Sequence, residues 1–302
     1  MYKNNAFNTL RDMIGDENCF KDIRLENYTT FKIGGPADIF VTPDSYESVA
    51  EVVKFAKENE IPFFYLGNGS NVLVKDRGYR GIIINFSKLN KISLDGNKII
   101  AQSGASLKDV SNFALENSLT GLEFACGIPG TVGGASAMNA GAYHGEIKNV
   151  VENILMVNGN DEIRRVHVDE LNFGYRQSLL LQENYAALEV CYSLKPGDYH
   201  AIKNRIDELT RWRTENQPLE VPSAGSTFKR PEGYFTGKLI QDAGLKGFSL
   251  GGAQVSPKHA GFVINSNKAT AEEVIELIHF IMKSIKEIYD IELSPEVRII
   301  GE

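Results

Sequence analysis

The stretch that most constrains this chain runs from Gly127 to Gly145, GIPGTVGGASAMNAGAYHG. It carries glycines at 127, 130, 133, 134, 141 and 145 and no Asp, Glu, Lys or Arg. Each glycine gives up more backbone freedom on folding than any other residue, so such a run needs a physical reason. Either φ must be positive, or something must approach the backbone closely. Backbone N–H groups in a glycine loop form a cradle suited to phosphate oxygens. A shorter loop of the same kind lies upstream, Gly67-Asn68-Gly69-Ser70-Asn71. Together the two loops imply one extended phosphate-bearing ligand, a nucleotide or dinucleotide cofactor. Ser70, Asn71, Thr131, Ser136 and Asn139 are the side chains available to supplement the backbone donors.

The setting of the first loop narrows the fold. An N-terminal helix is expected over residues 1 to about 20, with Leu10, Met13 and Ile14 apolar. YTTFKIGGP, 28 to 36, reads as a strand entering a glycine turn, and 37 to 42 as a second strand. A helix capped at Asp44 or Ser45 carries Val49, Val52, Val53 and Ala56 on one face. Strand 63 to 66 then enters GNGSN, which leads into another apolar strand, 72 to 74. A Rossmann loop instead follows the first strand and opens a helix, so that alternative is weakened. Further strands are expected at 81–85, 98–103 and 186–194, with a helix from Ser106 to about Asn117. Asn158-Gly159 signals a hairpin between 151–157 and 162–168. A charged helix over 199–216 follows a composition shift at Pro196-Gly197. Residues 222–265 read as loops with short strands. Thr270 with Glu273 forms a capping box opening a helix to about Tyr289, and the last strand is 296–300. The pattern is α+β with at least two domains.

Length and composition agree with a globular enzyme. A chain of 302 residues exceeds a single typical core. The formal charge of −7 argues against nucleic acid as the main partner. No apolar leader and no span of membrane length is found, so cytoplasmic placement without a membrane contact is expected. Cys19, Cys126 and Cys191 lie far apart, which reads as free thiols in a reducing compartment. The five histidines show no metal-ligand spacing.

Taken singly, the polar residues are ambiguous. Ser226 in SAGSTFKRP suits an anion site or an ordinary turn. Arg176 in GYRQS and Glu296 in PEVR read equally well as surface charges. His259 in KHAGFVIN is a candidate substrate contact or a structural histidine.

Eight blocks in order remove much of that ambiguity: YTTFKIGGPAD, GNGSNVLV, GLEFACGIPGTVGGASAMNAGAY, FGYRQS, SAGSTFKRP, GKLIQDAGLKG, HAGFVIN and EVRIIGE. From about residue 28 to the C-terminus the chain resembles the UDP-N-acetylenolpyruvoylglucosamine reductase family, in its shorter second type without a tyrosine-bearing insertion. The resemblance implies a vanillyl-alcohol-oxidase/PCMH-type fold, with two α+β subdomains around non-covalent FAD and a C-terminal α+β substrate domain. The division expected is 1–30 as an N-terminal helical segment, 31–196 for FAD and 197–302 for substrate. The implied reaction is NADPH-dependent reduction of an enolpyruvyl ether on a UDP-sugar to a lactyl ether, in peptidoglycan precursor synthesis. The implied assembly is a monomer or weak oligomer.

Carried over by motif, Arg176, Ser226 and Glu296 match the catalytic residues. Hydride arrives at C3 and negative charge develops at C2 and its carboxylate. Arg176 and a protonated Glu296 suit that charge, whereas an ionised Glu296 repels it. Glu296 is therefore expected either with a raised pKa or to act through water or Arg. Ser226 is the expected proton donor to C2. Cofactor contacts are expected from Leu66, Gly67, Asn68, Gly69, Ser70, Asn71, Gly127, Ile128, Pro129, Thr131, Gly133, Gly134, Ser136, Asn139, Ala140, Gly141 and Arg213. Substrate contacts are expected from Tyr175, Lys229, Arg230, Lys238, His259 and Asn265. Arg213, Lys229, Arg230 and Lys238 are the candidate cations for the UDP diphosphate. Asn216 stands where many relatives carry Lys. Two other readings stay open at this point: a different PCMH-type flavin oxidase, and a nucleotide-binding sensor without turnover.

Overall fold

The computed structural model describes residues 2–302. The chain forms two compact units whose segments interleave. The first holds the N-terminal segment to Lys21, Ile39–Asn68 and Gly81–Arg213; the second holds Asp22–Asp38, Gly69–Arg80 and Thr214–Glu302.

The first unit rests on two sheets. A five-stranded antiparallel sheet has the order Ile163–His167, Val151–Val157, Ala186–Ser193, Lys98–Gln102, Ile92–Asp95. Ile154 lies opposite both Val166 and Val190, and Val190 opposite Ala101, so β-branched and small side chains stack across the pleat. Helices Leu107–Glu116 and Val132–Ala137 share its core through Leu107, Val110, Val132 and Ala135. A four-stranded sheet has the order Cys19–Arg24, Pro36–Val41, Tyr79–Asn85, Phe63–Leu66, of which 19–21, 39–41, 81–85 and 63–66 fall in this unit. Helix Tyr46–Glu58, capped by Ser45, buries Val49, Val52, Val53 and Ala56 in one cluster with Ile39, Ile82 and Ile84.

The second unit is built on helix Ala271–Tyr289. Its capping box forms as the sequence suggests, and Val274, Leu277, Ile278, Ile281 and Ile285 are buried among Phe228, Leu239, Val255 and Val263. Burial of each such side chain contributes roughly 1.5–3 kcal/mol before entropy is counted. A three-stranded sheet, Ser249–Leu250, Ala253–Val255, Val263–Asn265, packs beside it. The last strand, Arg298–Ile300, pairs parallel with Val72–Val74. That pairing draws the 69–80 segment into the second unit. Asp76 completes the attachment, because its two carboxylate oxygens accept from the N–H groups of Ala271 and Glu272 at 2.9 and 3.1 Å.

Several elements depart from the sequence pattern. The strand expected over 28–36 does not form, and the chain becomes extended only at Pro36: a 3-10 turn ends at Tyr28, and positive φ at Lys32 and Gly34 breaks the extended path. The N-terminal helix ends at Ile14 with Met13 partly exposed. The Asn158-Gly159 signal does mark a hairpin, but the loop is wider than two residues, because Asn158 Oδ1 accepts from both Asn160 N and Glu162 N. Three helices carry too little periodicity to be read, Val132–Ala137 within the glycine stretch, Leu179–Gln182 and Thr236–Asp242. Cys19, Cys126 and Cys191 are buried free thiols. Among the described residues no helix is long and apolar enough to cross a membrane.

Replacing Asp76 with Ala removes two charge-assisted bonds from the N-terminus of the long helix. Stability should fall by about 1–2 kcal/mol, read as a lower urea midpoint with an unchanged slope. An unchanged midpoint would show that water replaces the carboxylate at no cost.

Candidate active site

The two glycine loops meet within the first unit. Asn68 Nδ2 donates to Pro129 O at 3.1 Å, and a Cβ added to Gly67 would overlap Thr131 Oγ1. Asn85, a buried polar residue at the end of its strand, donates from Nδ2 to the carbonyls of Leu66 and Gly67. Gly69, Ser70 and Asn71 belong to the second unit.

The glycine stretch uses many of its own donors. Thr131 caps helix Val132–Ala137, its Oγ1 accepting from Gly134 N. Val132 N donates to Ala105 O, and Gly133 N to Ser103 O, both at 2.9 Å. Gly133 is a packing glycine, since a Cβ there would lie 2.5 Å from Ser103 Oγ. Ala140 N donates to Ala135 O, and Gly141 pairs with Glu146 across a short hairpin. Ser136 and Asn139 are fully buried. Much of the backbone from Val132 to Gly141 is therefore bonded to the chain itself.

Around Gly127 the geometry fits an anion. Arg213 lies in the last turn of helix Tyr199–Asn216, and a Cβ on Gly127 would come within 2.6 Å of its Cδ. Arg213 Nε and Nη1 are buried without hydrogen-bond partners, as is Tyr143 Oη. Two buried guanidinium nitrogens lacking an acceptor are costly, so these donors suit a negatively charged ligand oxygen. Burial pushes the guanidinium below its ordinary value, opposed by the neighbouring Tyr143.

Arg176 sits in a tight turn of the first unit. Gly174 and Gln177 exchange N–H···O bonds of 3.0 and 3.3 Å around Tyr175 and Arg176. Tyr175 is exposed, and the Arg176 guanidinium lies 5.1 Å from its ring centroid.

Ser226 and Glu296, 70 residues apart in sequence, are neighbours in the second unit. Glu296 N donates to the carbonyl of Thr227 at 2.8 Å. Asn71 Nδ2 donates to Glu296 O at 3.0 Å, and Arg298 N donates back to Asn71 O at 3.0 Å. Thr227 also accepts from Val263 N through Oγ1. Gly225, with φ of 72°, places Ser226 in an exposed turn. Thr227 and Asp76 carry much of this scaffold, as Asn85 does in the first unit, and nothing in their local sequence distinguishes them.

The substrate candidates differ in availability. Lys229 and Arg230 are exposed, and Arg230 stacks 3.8 Å from the Phe235 ring centroid. Lys238 pairs with Asp242 one helical turn away, at 2.8 Å. His259 Nδ1 accepts from Gly261 N, and burial holds the imidazole below its usual value. The Asn265 amide is engaged by Phe31 O and Ala269 N. Both groups act in the scaffold through these atoms.

The fold and the glycine cradle define a flavoprotein of the FAD-binding α+β class. Residues 37–167 match the family described as FAD binding domain, and residues 217–300 match the C-terminal domain of UDP-N-acetylenolpyruvoylglucosamine reductase. The chain is 54% identical to the UDP-N-acetylenolpyruvoylglucosamine reductase of Clostridium novyi over 97% of its length and 95% of that protein's. It is 56% identical to the reductase of Clostridium beijerinckii over 93% and 92%. The crystal structure of the Thermus caldophilus reductase superposes with a TM-score of 0.81 at 33% identity, covering 92% of this chain and 98% of that one. A Phl p 4 variant, a glucose oxidase, shares the fold alone at 11% identity and a TM-score of 0.51, over 70% of this chain and 50% of that one. The chain belongs to the UDP-N-acetylenolpyruvoylglucosamine reductase family.

Arg213→Met removes the two orphaned donors while keeping the side-chain stem. FAD binding to the flavin-free protein should weaken by about tenfold or more, measured by quenching of flavin fluorescence. Unchanged affinity would remove Arg213 from the cofactor site.

Proposed function

We infer that this chain reduces the enolpyruvyl ether of UDP-N-acetylglucosamine enolpyruvate to the lactyl ether of UDP-N-acetylmuramate, in peptidoglycan precursor synthesis. Near full-length identity to reductases of this name carries the reading. FAD, held non-covalently, would supply the redox chemistry when bound, linking hydride donation by NADPH to reduction of the acceptor at C3. The orphaned guanidinium of Arg213 beside Gly127 supports its anionic portion.

The chain's own residues handle the charge and the proton. Hydride at C3 leaves an electron pair at C2, delocalised onto the adjacent carboxylate. In our reading Arg176 stabilises that charge, and Glu296 assists it as a neutral acid or through a bridging water. Ser226 then gives its hydroxyl proton to C2, and solvent returns one to Oγ. A serine hydroxyl is a weak acid, so transfer requires a strongly basic carbon centre. The bond between Glu296 N and Thr227 O supports a shared role for residues 226 and 296.

We assign cofactor binding to the domain expected over 31–196 and substrate binding to that over 197–302, with Lys229 and Arg230 as the exposed cations for the diphosphate. The protein acts in the cytoplasm as a monomer or weak oligomer in this reading.

Anaerobic stopped-flow separates the two halves of the cycle. In Ser226→Ala, reduction of bound flavin by NADPH should survive, while reoxidation by the enolpyruvyl sugar nucleotide should slow by about 10²–10⁴-fold. Equal slowing of both halves would refute the assigned role of Ser226. Rapid reoxidation by oxygen without need of the acceptor would favour a flavin oxidase instead.

A further inference from the structure

The motif match places Asn139 among the cofactor contacts, but its side chain is fully engaged elsewhere. Its Nδ2 donates to Glu146 Oε2 at 2.8 Å and to Gly174 O at 2.9 Å, and its Oδ1 accepts from Lys148 N at 3.0 Å. Both amide hydrogens face acceptors, and a flipped amide would set a carbonyl against a carboxylate and another carbonyl. The orientation is therefore fixed. Asn139 is fully buried with φ of 43°, a left-handed conformation that asparagine tolerates better than most residues.

A second tether lies on the other side of the same turn. Ser178 precedes the short helix Leu179–Gln182 in the position of a cap, yet makes no capping bond. Its Oγ donates instead to Ala137 O at 2.7 Å, and the residue is fully buried. Gly174 is two residues before Arg176 and Ser178 two residues after it. Both ends of the turn are thus fastened to the glycine stretch, at Ala137 and Asn139. Between them Arg176 itself has φ of 55°, and Asn172, two residues before Gly174, has φ of 48°. Non-glycine residues persist in this region where surrounding bonds over-determine them.

We propose that Asn139 and Ser178 are positioning residues that lock the Arg176 turn to the cofactor-bearing glycine stretch, so that Arg176 meets the developing carboxylate charge in fixed register. The proposal rests on Arg176 stabilising that charge. Loss of either tether lets the turn move without altering any group that touches the substrate. Misplacement of a charged group by about 1 Å is enough to slow a reaction on the order of 10²-fold.

The test uses Asn139→Gly, which keeps the positive φ without strain, and Ser178→Ala, the milder change, each in the FAD-loaded full-length protein. Amide hydrogen exchange should accelerate at Gly174 and Gln177 and stay unchanged in 133–137. In stopped-flow, flavin reduction by NADPH should remain within about twofold, while reoxidation by the enolpyruvyl sugar nucleotide slows on the order of 10²-fold for Asn139→Gly and less for Ser178→Ala. Each change combined with Arg176→Met should be no slower than Arg176→Met alone. Additive losses in the double variants, or equal slowing of both half-reactions, would overturn the positioning role. If Asn139→Gly fails to retain FAD, Ser178→Ala decides by the same readouts. Should Arg176→Met alone leave reoxidation unchanged, the reading of Arg176 fails, and the positioning role fails with it. Altered exchange at Gly174 and Gln177 in that case would mark the tethers as purely structural.

Discussion

The parallel pairing of Val72–Val74 with Arg298–Ile300 is the contact on which the second unit depends. It joins segments far apart in the chain, so it forms only after a large loop has closed, and further contacts must recover that entropy. Recovery comes from the backbone around it: Lys75 N donates to Ile300 O, Arg77 N to Glu302 O, and Glu302 N back to Gly78 O. Asp76, carried on the same segment, then finds the start of helix Ala271–Tyr289. The pairing also delivers Asn71, at the end of the GNGSN loop, to the backbone of Glu296. One short strand pair thus supports the helix, the loop and the proposed acid together.

In the first unit the glycine stretch divides into parts with different duties. Around Gly127 it leaves room for a buried guanidinium. From Thr131 to Ala137 it is a capped helix whose early N–H groups are taken by Ser103, Ala105 and Thr131. From Asn139 onward it holds neighbouring segments by side-chain and hairpin bonds. Glycine density alone suggests one cradle, because both open donors and tight packing favour the absence of a Cβ.

Much of the secondary structure is legible where hydrophobic period and capping agree. The helices Tyr46–Glu58, Leu107–Glu116, Tyr199–Asn216 and Ala271–Tyr289 fall where the pattern puts them. The segment 28–36 reads as a strand because Tyr, Thr, Phe and Ile favour strands locally, while the left-handed Lys32 and Gly34 obey tertiary constraints. For the site, motif order identifies the family and the candidate chemistry. It does not reveal Thr227, Asn85, Asp76 or Ser178, since each acts by bonding backbone groups distant in sequence. Nor does it reveal that His259 and Asn265 have polar atoms engaged within the scaffold.

By itself the sequence determined the α+β class, the family, the cofactor type and the residue types that the chemistry requires, because these are encoded in local pattern and ordered motifs. Tertiary structure alone decided which of those residues keep open donors and which are consumed in bonding the chain to itself. Arg213 ended with two buried nitrogens unmatched, whereas Asn139 ended buried and fully matched. The difference is set by non-local neighbours, and hydrogen-bond satisfaction of a buried group depends on those neighbours rather than on the residue's own place in the sequence.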